Sequence, residues 1–222
     1  MKIRTEYEFQ EKISKDLLWR KREFTTLKFM IDEEKRPHKK EILYRSSIAL
    51  LYAHWEGHIK FCASAYLDFI SYKGFNLETL TENFSQVLLG IEFSGGFSIK
   101  SISNQKKIYD YFNNLSTKKF KVIGENTIDT ESNLNFEVLK KIVDQLNLNI
   151  SEYERRENFI NGTLLKDRNR ICHGEFTILA DLESTYLDIN KYLLKMIENF
   201  NSEIIDMVIN KKYLKSSMGP KI

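Results

Sequence analysis

Over residues 5–34 the apolar positions Phe9, Ile13, Leu17, Phe24, Leu27 and Ile31 return at intervals of three, four or seven, and charge fills the gaps between them. An α-helix turns once in about 3.6 residues. This spacing therefore predicts a first long helix with one apolar face. Pro37, among basic residues, is expected to break the chain. A second long helix is predicted over 39–72. Ile48, Leu51, Trp55, Ile59, Cys62, Tyr66 and Phe69 form one of its stripes, and Leu43, Leu50 and Phe61 form another on nearly the opposite side. A helix apolar on two sides belongs inside a bundle.

Periodicity weakens over 73–130. Short helices are expected at 76–89 and 104–115, and the segments GIEFSGGFSIKSIS and KKFKVIGENTIDT each read as a short strand or an ordered loop. Gly95–Gly96 is not followed by the Lys-Ser/Thr of a phosphate loop, so it reads as a turn. We read this stretch as an insertion or cap on a single domain that spans 1–222. Helical spacing resumes at 135–146 and again from Ser151, where Ser151 and Glu154 have capping-box spacing. Asn161–Gly162 should interrupt, Thr163 should cap a short helix over 163–173, and Gly174 should end it in left-handed conformation. A last helix is expected over 181–212, with Leu182, Tyr186, Ile189, Leu193, Met196, Phe200, Ile204 and Met207 on one face. The fold class is all-α, a bundle of four to five main helices with a less regular central insertion.

Composition sharpens this only a little. Two prolines and nine glycines in 222 residues suit long helices and argue against a turn-rich sandwich or barrel. The net charge of +3 is close to balance, and the basic runs at 35–40, 118–121 and 211–215 read as solvated surface unless they converge on a site. Cys62 and Cys172 are too few for a disulfide framework. The opening MKIRTEYEFQEK has no apolar signal core, and no apolar run reaches the roughly 20 residues needed to span a bilayer. The expected setting is a reducing cytoplasm, with no membrane contact.

HWEGH, at 54–58, holds two of the four histidines on one helix face, as two zinc ligands would be held. A zinc-protease helix places glutamate directly after the first histidine; here Glu56 is one residue later and turns to the far flank. The remaining histidines, His38 and His173, offer no evident third ligand. His54 and His58 are therefore expected to be structural, with no metal and no cofactor.

DRNRICHGE, at 167–175, gathers a cation, an amide and an imidazole within six residues: Arg168, Asn169 and His173. Asn169 and His173 stand at i and i+4, so their side chains should meet, and Arg168 can reach round to the same mouth. Such a set suits RNA transesterification, which needs a base, an acid and a cation for the charge-rich phosphorane. Cys172 is expected to pack inward.

RNRICH matches R-N-x-x-x-H, the signature of the HEPN superfamily, and the chain resembles that superfamily beyond this motif. ALLYAHWEGHIK at 49–60, TESNLNFEVLKKI at 130–142 and LLKDRNRICHGE at 164–175 look like three ordered blocks of one prokaryotic HEPN branch. The resemblance implies a helical bundle that forms a homodimer with its two motifs facing each other. It implies a metal-independent endoribonuclease that cleaves RNA, often a toxin of a toxin–antitoxin pair or an antiviral effector, with an antitoxin or defence protein as partner. A non-catalytic HEPN module that binds nucleotide or a partner is the alternative. By the resemblance Arg168 and His173 take the catalytic positions, and Asn169 the polar position after the arginine. Glu56 falls at the acidic position of the second-helix block. It is expected to orient Arg168 or His173, a buried structural salt bridge being the other reading. Some HEPN toxins carry a tyrosine two residues past the histidine that their antitoxin adenylylates; Glu175 stands there in this chain.

Overall fold

The computed structural model describes residues 3–94 and 97–215, and among them there is no β-strand, only the isolated bridges Asn76–Lys119 and Leu80–Leu214. The chain is all-α. Three long helices form its heart: α1 (Glu6–Glu33), α2 (Pro37–Lys73) and α9 (Leu179–Ile209), each packed on the other two. Between α2 and α9 in sequence lie α3 (Glu82–Glu92), α4 (Ile102–Asn113), α5 (Gly124–Thr127), α6 (Phe136–Leu146), α7 (Ser151–Glu154) and α8 (Lys166–Cys172).

Thr5 starts α1 with the reciprocal capping box that its spacing to Glu8 allows. Pro37 follows the expected break, which falls at 34–36. It opens α2 in the first helical turn, where its missing N–H has no partner to lose. The main stripe of α2, from Ile48 to Phe69, is buried throughout, as are all eight predicted positions of α9. The second stripe of α2 is not core: Leu50 is 38% exposed, and Leu43 and Phe61 only pack against the edge. The other side of α2 is closed instead by polar residues, Ser47, His54 and His58, which hydropathy alone does not score.

The central region differs from expectation in detail. A single 3₁₀ turn, Leu77–Thr79, precedes α3, so the helix expected at 76–89 starts late. KKFKVIGENTIDT holds no strand but the short α5, packed on α2. Gly124 opens α5 against the backbone of Ser64, so closely that an added Cβ would lie 2.1 Å from the Ser64 carbonyl oxygen. The turn expected at Gly95–Gly96 lies outside the described residues.

Ser151 and Glu154 form no capping box, because Ile150 is the cap residue of α7 and the Ser151 N–H is taken by Asn149 Oδ1. Asn161–Gly162 does not interrupt either. Phe159–Leu165 widens into a π-helix that runs directly into α8, so Thr163 caps nothing. Asn161 Oδ1 is spent on the N–H of Phe136, one of the free donors at the start of α6. A π-helical stretch rotates the phase of the next helical turns, and such stretches concentrate at functional sites.

Candidate active site

The two flanks of HWEGH lead to two different clusters. His54 and His58 face α1, where the apolar stripe skips from Leu17 to Phe24 and the gap is filled by Asp16 and Arg20, both buried. Arg20 donates to Asp16 through Nε (2.7 Å) and Nη2 (3.2 Å), and its Nη1 donates to the His54 carbonyl oxygen (3.2 Å). His58 Nδ1 lies 2.6 Å from Asp16 Oδ2, and Trp19 Nε1 donates to Asp16 Oδ1 at 3.0 Å. Gly57 leaves room for this arrangement: a Cβ there would sit 3.2 Å from Arg20 Nη1.

Charge in this cluster resolves cleanly. Burial alone would raise the Asp16 carboxyl, but hydrogen bonds from His58, Arg20 and Trp19 outweigh it and hold the group at about 2. Burial lowers both imidazoles, and Arg20 lowers them further, so they are neutral. A neutral His58 that donates from Nδ1 to Asp16 leaves Nε2 as an acceptor. Cys62 Sγ lies 3.4 Å from it, with burial pushing its thiol well up and so keeping the proton it would donate. Glu23 Oε2 comes within 2.8 Å of His54 Nε2 but out of line for a hydrogen bond. Among the described residues no group of three or more His, Cys, Asp and Glu side chains could hold a metal ion.

These neutral histidines make stability sensitive to acid. An unfolded histidine protonates near pH 6.5, and the folded ones resist, so below that pH the unfolded state gains protons that the native state does not. Stability present at neutral pH is therefore lost as pH falls from about 6.5 through the lowered native values. The slope is up to about 1.4 kcal/mol per pH unit for each histidine. Urea midpoints at pH 7.5 and 5.5 should differ clearly. A flat response would mean that the rings are charged in the fold.

Glu56 points the opposite way, toward the second cluster. Its Oε1 accepts from Thr130 Oγ1 at 2.8 Å, and its Oε2 lies 3.6 Å from Arg168 Nη2. Arg168 also donates to Asn169 Oδ1 (2.8 Å) and to the Ser132 carbonyl oxygen (3.4 Å). The guanidinium lies over the ring of Tyr52, with Cζ 4.0 Å from the ring centre. Tyr52 stands one turn before Glu56 on the same face of α2, and its hydroxyl accepts the Leu134 N–H at 2.7 Å. Burial and the Glu56 carboxylate push that hydroxyl up, so it keeps its proton. The loop between Thr130 and Leu134 thus joins α2 to α8. Two of its residues, Glu131 and Ser132, hold φ of 51° and 61°, a left-handed backbone unusual outside glycine.

The structure brings Arg168, Asn169 and Glu56 together; His173 stands apart from that network. It is the residue that ends α8, exposed, and its ring makes no hydrogen bond among the described residues. Asn169 spends its amide oxygen on Arg168, and only the backbone bond from His173 N to Asn169 O (2.9 Å) links the i and i+4 positions. Gly174 follows at φ 74°, with Gly174 N–H bonded to Ile171 O and Glu175 N–H to Arg170 O, a Schellman end. Arg170 pairs with Asp167 and Glu175, and Arg45 of α2 donates to the Glu175 carbonyl oxygen, so the turn that carries His173 is fastened from both sides. Cys172 is exposed and not core. It lies in the last turn of a seven-residue helix that buries none of its residues.

Tyr52, Thr130 and Ser132 are parts of this cluster that motif reasoning passed over. The signal for Tyr52 was its place four residues before Glu56; the carbonyl of Ser132 left none. Within the basic runs Arg36, Lys118 and Lys212 pair with Glu34, Glu92 and Asp206. No helix among the described residues is long and apolar enough to cross a membrane.

Compared with known proteins, residues 9–213 match the model of the HEPN_MAE_28990-like HEPN family, a span that takes in α2, the 130–134 loop and α8. No curated protein and no solved structure matches the chain.

Proposed function

We infer, from a chain that belongs to the HEPN_MAE_28990-like HEPN family, a metal-independent endoribonuclease centred on Arg168 and His173. The observation that carries this reading is the preparation of Arg168. A glutamate, an amide, a backbone carbonyl and an aromatic face fix its guanidinium on the same short helix that ends at an exposed imidazole. A fixed, partly desolvated cation is what a pentavalent phosphorane requires, and a free imidazole is suited to moving protons.

In this mechanism Arg168 binds the scissile phosphate. A base takes the proton of the neighbouring ribose 2′-hydroxyl, O2′ bonds to phosphorus, the P–O5′ bond breaks, and an acid protonates the leaving O5′. Each chain brings one such histidine, whereas the reaction needs an acid and a base. A homodimer with facing motifs supplies both. A toxin or antiviral role, with an antitoxin or defence protein as partner, fits an enzyme of this kind.

One observation favours a second reading, a non-catalytic nucleotide- or partner-binding module: the donors of Arg168 are already engaged by protein groups. Product analysis separates the two. Purified protein incubated with single-stranded RNA in EDTA should leave 5′ fragments ending in 2′,3′-cyclic phosphate, and a 2′-deoxy substitution at the scissile nucleotide should block the cut. Sedimentation should give a dimer mass. Fragments with 3′-hydroxyl ends, or activity that needs added metal, would overturn the mechanism. Intact RNA would leave the binding module.

A further inference from the structure

A groove of about 660 Å³ runs between α3 and α6 and is closed at one end by α5. That volume lies within the range of small-molecule sites, about 300–1,000 Å³. Its walls carry the carboxamides of Gln86, Asn126 and Gln145, none of which makes a side-chain hydrogen bond among the described residues. Asn83 donates to the Gln145 backbone carbonyl at 2.8 Å and so pins α3 to α6, which makes the groove preformed.

Gly90 is the second clue. It lies within α3, where glycine weakens a helix relative to alanine. Nothing lies within 4 Å of the place its Cβ would occupy, so packing does not demand a glycine. The space above it is the groove itself. A glycine that no neighbour requires leaves the backbone open to close approach by a ligand.

The third clue is where the groove leads. Lys141 lines it and pairs with Glu131 at 2.8 Å. The next residue, Ser132, receives Arg168 on its carbonyl. The groove lining and the Arg168 guanidinium are therefore linked through one strained dipeptide, Glu131–Ser132. Lys141 is already paired with Glu131 and Asp144 is the groove's other charged residue, so no unpaired cation lines it among the described residues and what it offers is carboxamide hydrogen-bonding capacity. That capacity fits base edges better than phosphates.

We propose that this groove is a base-binding subsite for single-stranded RNA. It takes the unpaired nucleobases beside the scissile phosphate, and Gln86, Asn126 and Gln145 hydrogen-bond their edges. This rests on the ribonuclease reading above and adds the origin of sequence preference. Unpaired bases are required because a duplex hides those edges.

The test is Gly90→Trp, which fills the groove, with Gly90→Ala as its control. Gln86→Ala/Gln145→Ala removes carboxamides without adding bulk and serves if the tryptophan variant fails to fold. In the His173→Ala background, Gly90→Trp or the double variant should weaken binding of a labelled single-stranded oligoribonucleotide by about tenfold or more. In the active background the same changes should shift the cut sites. Unaltered binding and cut sites, in a parent that does cleave RNA, would overturn the subsite and leave the ribonuclease standing. A parent that neither binds nor cleaves RNA would remove both. A change in sedimenting mass with RNA binding intact would assign the groove to self-association and also overturn the proposal.

Discussion

His173→Ala is expected to lower RNA cleavage by about a thousandfold, with no change in melting temperature. Positioned proton transfer contributes about 10²–10⁴ in rate. The ring is exposed and makes no hydrogen bond that its removal would orphan, so the fold should not register the change. Arg168→Ala should cost similar activity, because a fixed cation at a developing charge supplies about 10²–10³. It should also cost about 1–2 kcal/mol of stability, since half-buried Glu56 then keeps only Thr130 as a hydrogen-bond partner. Arg168→Lys separates the two effects. A lysine retains the charge opposite Glu56 but cannot reach Asn169 and Ser132 with a planar fork, so stability should return and activity should not. Cleavage that survives His173→Ala in a cooperatively melting protein would take the chemistry away from this site.

The three blocks quoted from the sequence meet in one place, and this is where the sequence was most legible. Tyr52 and Glu56 come from the first block, Thr130, Ser132 and Leu134 from the second, and Arg168 and Asn169 from the third. Long helices were readable because a burial period near 3.6 over some thirty residues leaves little ambiguity. Short elements were not. The π-helix at Phe159–Leu165 uses ordinary helix formers and an Asn-Gly pair that normally marks a turn, and only the claim of Phe136 on Asn161 reveals why the chain continues. The partnership of Asn169 with Arg168 rather than His173 follows from the helix ending at Cys172, one residue short of the histidine. Asp16 and Arg20 were visible only as a hole in the apolar stripe of α1, because polarity says nothing of burial until the partner helix is known.

Asp16→Ala is expected to be the most destabilising single change in the molecule outside its apolar core, at about 3–5 kcal/mol. The carboxylate accepts from Arg20, His58 and Trp19, all from its own helix or the facing turn of α2. Its loss would leave the Arg20 guanidinium buried against two neutral imidazoles, with the His54 carbonyl oxygen as its remaining oxygen acceptor. An uncompensated buried charge, rather than the missing attraction, sets the size of the effect. The double variant Asp16→Ala/Arg20→Met should therefore recover much of the loss, because it removes the stranded charge and keeps an unbranched stem to cover the ring of Trp19. Urea unfolding of the parent, the two single variants and the double variant gives the coupling energy directly. An Asp16→Ala penalty below about 1 kcal/mol, or a double variant no better than the sum of its parts, would mean that solvent reaches this cluster. The histidines of HWEGH would then need a different role from the neutral, structural one that their bonds to α1 assign.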